Sequence, residues 1–157
     1  MELKRYQDLK LLRSEVLLAV TLTCGFLHHI DHILRADRSG WPFISEVTPF
    51  TFSLLVYPLF ISVFLTRSYP WYRVVAITFA YIATQMGHIF IETPVDQYST
   101  WAHGVSNVSY SFGKANLLGI SSPAMGIYAV VLSLLLSVAF ILALFELIRD
   151  ARLGTDK

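Results

Sequence analysis

Four long, mostly apolar stretches divide this chain, at about 14–34, 48–66, 71–92 and 123–148. Each approaches the ~20 residues that a helix needs to cross a ~30 Å hydrocarbon core. Inside lipid every backbone N–H and C=O must be satisfied within the structure, which leaves helices or closed barrels. These runs are too long and continuous for barrel strands. The expected fold is therefore an all-α integral membrane protein. It is one domain over 1–157, a four-transmembrane-helix bundle.

The punctuation fits that division. Pro42 and Pro49 bracket the first connection, and Ser68-Tyr69-Pro70 marks a tight turn before the third span. Pro94 stops the third span just after Glu92, and Pro123 sits in the first turn of the fourth, where a missing N–H costs nothing. Tyr57-Pro58 predicts a kink within the second span. The fourth span is the most lipid-like and is expected at the bundle periphery, with Ser133 and Ser137 marking one packing face. The third connection, about 93–122, is long enough to carry a small element of its own.

Composition narrows the function classes. Charged residues make up 15% of the chain, against ~25% in globular proteins, and the deficit is confined to the four spans. A net charge of +1, with no basic segment interleaved with aromatics, argues against a nucleic-acid partner. Cys24 is the single cysteine, which excludes an internal disulfide, a zinc ribbon and a CxxC redox pair. No Gly-rich phosphate loop is present. Ser99, Ser106 and Ser109 lie near His103 in sequence, without a Ser-His-Asp pattern. The basic start followed by an apolar run has the outline of a signal peptide. The residues before Cys24 make a poor cleavage site, so an uncleaved first span is expected.

Orientation follows from Lys and Arg, which collect on cytoplasmic loops. Lys4, Arg5, Lys10, Arg13, Arg67, Arg73, Arg149, Arg152 and Lys157 fall on one side, leaving only Arg35, Arg38 and Lys114 on the other. Both termini are expected to be cytoplasmic, in a multi-pass protein of a cell membrane. All five histidines then fall at or beyond the outer face.

The chemistry concentrates there. The first span ends in His28-His29-Ile30-Asp31-His32-Ile33-Leu34-Arg35. Residues three and four apart share a helix face, so His28, Asp31, His32 and Arg35 form one stripe, with His29 flanking it. In the third span, Tyr81, Gln85, His88 and Glu92 form another. Polar groups at membrane depth face the bundle interior, so the two stripes should meet. That brings His28, His32, His88 and Glu92 around one point, with Asp31, His29 and His103 as neighbours. Imidazole plus carboxylate is a ligand set for a divalent transition metal: zinc, iron or copper. Glu92 and Asp31 are the candidate catalytic groups, either as ligand or as general base.

Three functions follow. One is a metal-dependent enzyme acting on a lipid-soluble or amphipathic substrate. Another is a non-enzymatic membrane subunit that handles metal or haem. The third is purely structural, with Asp31 paired to Arg35 along the helix and Glu92 paired to Arg35 across the bundle. The expected partners are the lipid bilayer and a lipid-soluble small molecule, with a homo-oligomer or a larger membrane complex left open. Trp41, Trp71 and Trp101 read as an interfacial aromatic belt. Glu46 and Asp96 read as solvated loop acids, and Asn107-Val108-Ser109 matches a glycosylation triplet.

Single cysteines introduced on a Cys24→Ser background test the topology. Positions within 105–115 should react with an impermeant maleimide from outside intact cells. Labelling only after lysis would invert the orientation.

Overall fold

The computed structural model describes residues 12–35, 49–104, 116 and 118–155. The described residues form six helices: α1 (Arg13–Arg35), α2 (Pro49–Ser53), α3 (Val56–Leu65), α4 (Pro70–Phe90), α5 (Pro94–His103) and α6 (Pro123–Thr155). No strand occurs among the described residues. α1 and α6 are long and apolar enough to cross a membrane, and α4 with α5 forms a third candidate crossing bent by 58°. Trp41, Glu46, Ser106, the 107–109 triplet and the basic residues Lys4, Arg5, Lys10, Arg38, Lys114 and Lys157 lie outside the described residues.

The expected second span is two short helices instead of one. Pro58 has no N–H, and its ring crowds the carbonyl four residues back, that of Leu54. The Leu54 carbonyl instead accepts the Tyr57 N–H at 3.2 Å, a tighter turn than the α-helix allows. The chain breaks at 54–55, and α2 is set apart from α3. The kink expected at Tyr57-Pro58 thus falls one turn earlier, at the carbonyl that the proline displaces.

The end of α4 is built just as locally. The N–H groups of Ile91 and Glu92 both reach the Gly87 carbonyl, at 2.9 and 3.0 Å. Thr93 then caps α5 in a reciprocal box. Its Oγ1 accepts the Asp96 N–H at 3.3 Å, while Asp96 Oδ2 accepts the Thr93 N–H at 3.2 Å. Pro94 occupies the first turn, and Gly104, at φ 65°, closes the helix in the left-handed region. Asp96, expected to be solvated, is buried in this cap. The bend lays α5 back over the ends of the bundle.

α6 is the central helix, which corrects the expectation that it lies at the periphery. It packs against α1, α4 and α5. Its buried face runs through Ala129, Ser133, Leu136, Phe140, Ala143 and Leu147, where small residues let neighbouring backbones come close. Leu134, Leu135, Val138 and Phe145 occupy the outer face and remain exposed. Mean hydropathy blends the two faces, which makes the helix read as lipid-facing all round. The core joins this face to Leu18, Phe60, Val63, Val74 and Ile77.

At the end remote from the histidines a second polar set ties the helices. Glu15 is buried and accepts the Leu12 N–H at 3.1 Å. It also pairs with Arg67 and faces the buried Arg73. Ser14 Oγ donates to Asp150 at 2.6 Å, joining α1 to α6.

The closest helix approach predicts a stability effect. A Cβ at Gly126 would lie 2.9 Å from the Tyr98 backbone oxygen, whereas one at Gly87 meets nothing within 4 Å. Gly126→Leu should destabilise the protein by roughly 1–3 kcal/mol through overpacking, and Gly87→Ala should be close to neutral. Thermal unfolding in mild detergent compares them, and equal midpoints would contradict the α5–α6 packing.

Candidate functional site

The last two turns of α1 and the end of α4 bring the two sequence stripes together. His28 and His32 are one turn apart on α1, with their Nε2 atoms 3.1 Å apart. The His88 ring, from α4, stands edge-on to His28 with centroids 4.8 Å apart. Just past the end of α4, Glu92 Oε2 is 3.1 Å from His32 Nε2. The four expected ligands therefore share one cluster. The rest of the α4 stripe also turns inward: Gln85 Nε2 donates to Ser137 Oγ at 2.9 Å, and the Tyr81 ring meets Phe140.

A chain of charges closes the cluster on one side. Arg35 Nε donates to Asp31 Oδ2 at 2.6 Å. The other two guanidinium nitrogens both donate to Glu92, one of them at 3.1 Å to Oε2. Trp101 Nε1 donates to Asp31 Oδ1 at 2.8 Å, so both Asp31 oxygens are engaged. Asp31 and Arg35 are buried, at 3% and 2% exposure. Leaving either alone in this setting would be costly, and the fork of Arg35 satisfies two carboxylates at once. Asp31 is thus held in place by donors on both of its oxygens.

Outside the cluster, polar groups address the far nitrogens of two imidazoles. Gln97 Nε2 is 3.0 Å from His88 Nδ1. Ser133 Oγ is 3.4 Å from His28 Nδ1 and donates to Gln97 Oε1 at 2.8 Å. Which amide atom of Gln97 faces the ring is assigned from this network. Gln97 is fully buried.

His29 points elsewhere. Its Nδ1 lies 2.6 Å from the Tyr57 hydroxyl and its Nε2 lies 2.9 Å from Ser53 Oγ. It joins α1 to the broken α2–α3 segment and does not enter the cluster. His103 is exposed, with its ring against Tyr98 at 5.8 Å, also away from the cluster.

Trp101 belongs to the site and not to an aromatic belt, because it is fully buried against Asp31. Sequence reading missed Gln97 and the roles of Trp101, Ser53 and Tyr57. The only signal for α5 was the length of the third connection, since contacts around a 58° bend follow no helical periodicity.

A cavity of about 790 Å³ opens beside the cluster. Its polar end carries His28, His29, His32, His88, Ser53 and Glu92, and its walls are otherwise predominantly apolar. Among the described residues, no group of three or more His, Cys, Asp or Glu has its donor atoms gathered around one metal position. His32 Nε2 stands 3.1 Å both from His28 Nε2, to which it is hydrogen-bonded, and from Glu92 Oε2. Two ligands of a tetrahedral ion at ~2.0–2.1 Å stand ~3.3 Å apart, close to the 3.1 Å between these nitrogens.

Fold and site together define a class, an all-helical protein with two or three helices long and apolar enough to cross a membrane and a buried cluster of histidines and charges at one end of them. Comparison with family models, curated proteins and solved structures finds no match.

Removing the guanidinium should leave two buried carboxylates uncompensated. Arg35→Ala is expected to lose about 3–5 kcal/mol, and Trp101→Phe, which removes one buried hydrogen bond, about 1–3 kcal/mol. Chemical unfolding in detergent measures both. An Arg35→Ala variant as stable as the parent would contradict the charge chain.

Proposed function

We propose that this chain is a multi-pass protein of a cell membrane, with four crossings and both termini cytoplasmic. In this reading His28, His32 and His88 hold a divalent transition metal, and Glu92 serves as a fourth ligand or as a base beside it. The protein is then a metal-dependent enzyme acting on a lipid-soluble or amphipathic substrate. The 3.1 Å approach of the His28 and His32 Nε2 atoms at the polar end of an apolar cavity carries the reading.

Two further observations support it. The Nδ1 atom of His28 lies 3.4 Å from Ser133 Oγ, placed to donate to it. Metal-bound histidines are commonly oriented this way, through the nitrogen that does not ligate. With its carboxylates ionised, the Asp31–Arg35–Glu92 chain carries one excess negative charge, which favours a cation among the neutral imidazoles beside it. Loading requires the His88 ring to turn about its side-chain bonds toward the α1 pair. A bound ion would supply an activated water or polarise a substrate oxygen. The chain's own part is to fix the imidazoles, to hold Glu92 through Arg35 and to keep one side of the site apolar.

Haem is the less favoured occupant. His28 and His88 are in direct ring contact, with no slot between them for a porphyrin, and His28 and His32 share one helix. The non-enzymatic reading has one specific observation in its favour. The Asp31–Arg35–Glu92 chain is complete as it stands and ties α1 to the end of α4.

Elemental analysis of protein purified in mild detergent at neutral pH, then reloaded with zinc, iron(II) or copper, separates these readings. About one metal per chain is expected. His32→Ala and His88→Ala should each lose it while remaining folded. Metal should also dissociate as pH falls through the imidazole range, because protonated histidine cannot ligate. Full metal in both variants, or none in the parent after reloading, would leave only the structural reading.

A further inference from the structure

The cavity has walls of two kinds. Gly25 and Leu136 lie at the inner side, and the polar end is the histidine cluster with His29 and Ser53. Its exposed apolar lining includes Phe52 from α2, Leu55 from the α2–α3 break, and Phe79, Met86 and Phe90 from α4, which we take as its rim. All five rim side chains are at least half exposed, from 51% at Met86 to 72% at Phe90. In a helix that crosses a bilayer, such side chains face acyl chains. If these helices cross a bilayer, the cavity opens sideways, toward lipid.

A tapering contrast of this kind, with an apolar mouth and a hydrogen-bonding end, selects an amphipathic occupant. Its polar end also selects the charge of the head. Among the described residues that line the cavity none is Lys or Arg, and the one charged side chain is Glu92. Arg35 is committed to Asp31 and Glu92. A phosphate or carboxylate head would enter beside an acid with no cationic side chain to receive it. A hydroxyl meets a suitable partner instead. Ser53, on the cavity wall, donates to the Phe50 carbonyl at 2.6 Å and is paired with the His29 ring at 2.9 Å. This leaves its oxygen a lone pair to accept from a head hydroxyl, and the half-buried His32 also lines the cavity.

We propose that the cavity binds a single-chain lipid with a neutral hydroxyl head, such as a long-chain alcohol. The lipid is taken from the bilayer through the gap between the α2–α3 break and α4. Its head lies at His29, Ser53 and His32, and its tail runs out past Phe79 and Met86. The proposal deepens the metal-enzyme reading by naming the substrate class, and it rests on that reading only for the chemistry that follows binding.

Photolabelling of the full chain in nanodiscs tests this. The probe is a long-chain alcohol bearing a diazirine and an alkyne, and a phosphatidylglycerol with the same photoreactive chain runs in parallel. The alcohol should label α3 or α4 saturably and be displaced by excess unlabelled alcohol, while the anionic probe labels diffusely. Gly87→Phe fills space that is open next to the cavity. It should cut saturable labelling at least tenfold, and Ala83→Phe, a turn further from His88, provides an independent block. Leu134→Phe, on the exposed outer face of α6, should change nothing. Labelling unaffected by both blocking variants, or equal saturable labelling by the phosphatidylglycerol, would overturn the proposal. Metal content is read on the same samples. Saturable labelling without metal refutes the enzyme reading alone, and metal without saturable labelling refutes the lipid site alone.

Discussion

The buried guanidinium of Arg35 is the point on which the histidine end of the molecule depends. It lies at the last residue of α1 and holds Asp31 on its own helix and Glu92 beyond the end of α4. Two carboxylates in a low-dielectric site repel each other and lose hydration, and a planar donor fork between them offsets both costs. Trp101 completes the arrangement by donating to the second oxygen of Asp31, which draws α5 over the cluster. From one side chain, three helices acquire a fixed relation. The imidazoles of His28, His32 and His88 are brought into contact by that relation more than by any attraction of their own.

The opposite end repeats the logic with different residues. Glu15 takes Arg67 and faces Arg73, and Ser14 binds Asp150. Between the two polar ends the helices are held by apolar packing around the inner face of α6. Helix association in lipid gains little from hydrophobicity, because acyl chains are as apolar as leucine. Close approach at Gly126, Ala129 and Ala143, with polar ties at each end, is the arrangement expected when packing and buried polar contacts must do the work.

Much of this was legible in the sequence, and for identifiable reasons. Helical spacing placed His28, Asp31, His32 and Arg35 on one face and Tyr81, Gln85, His88 and Glu92 on another. The cost of polar groups in lipid then required the faces to meet. The Arg35 pairings with Asp31 and Glu92 followed from i,i+4 spacing and from the shared position of the two helix ends. What escaped was whatever depends on a break in periodicity. The split of the second span turns on the loss of a hydrogen bond at Leu54, so the proline that causes it lies beyond the break. Gln97 and Trp101 arrive by way of the capped bend at Thr93, and no spacing rule carries across such a bend. The central place of α6 was hidden because a helix packed on one face and lipid-facing on the other has the same average hydropathy as one bathed in lipid throughout.

The imidazole cluster is either a ligand set or part of the structural network around Arg35. X-ray absorption on zinc-loaded protein addresses that directly, since imidazole nitrogens give both a first-shell distance and a characteristic outer-ring pattern. Three imidazole nitrogens at about 2.0–2.1 Å, the ordinary zinc–histidine distance, with one further oxygen, is the predicted result. A spectrum of oxygen ligands alone, without imidazole outer-ring scattering, would contradict it. Zinc would then lie elsewhere on the protein, and the histidines would be part of the structural network that Arg35 anchors.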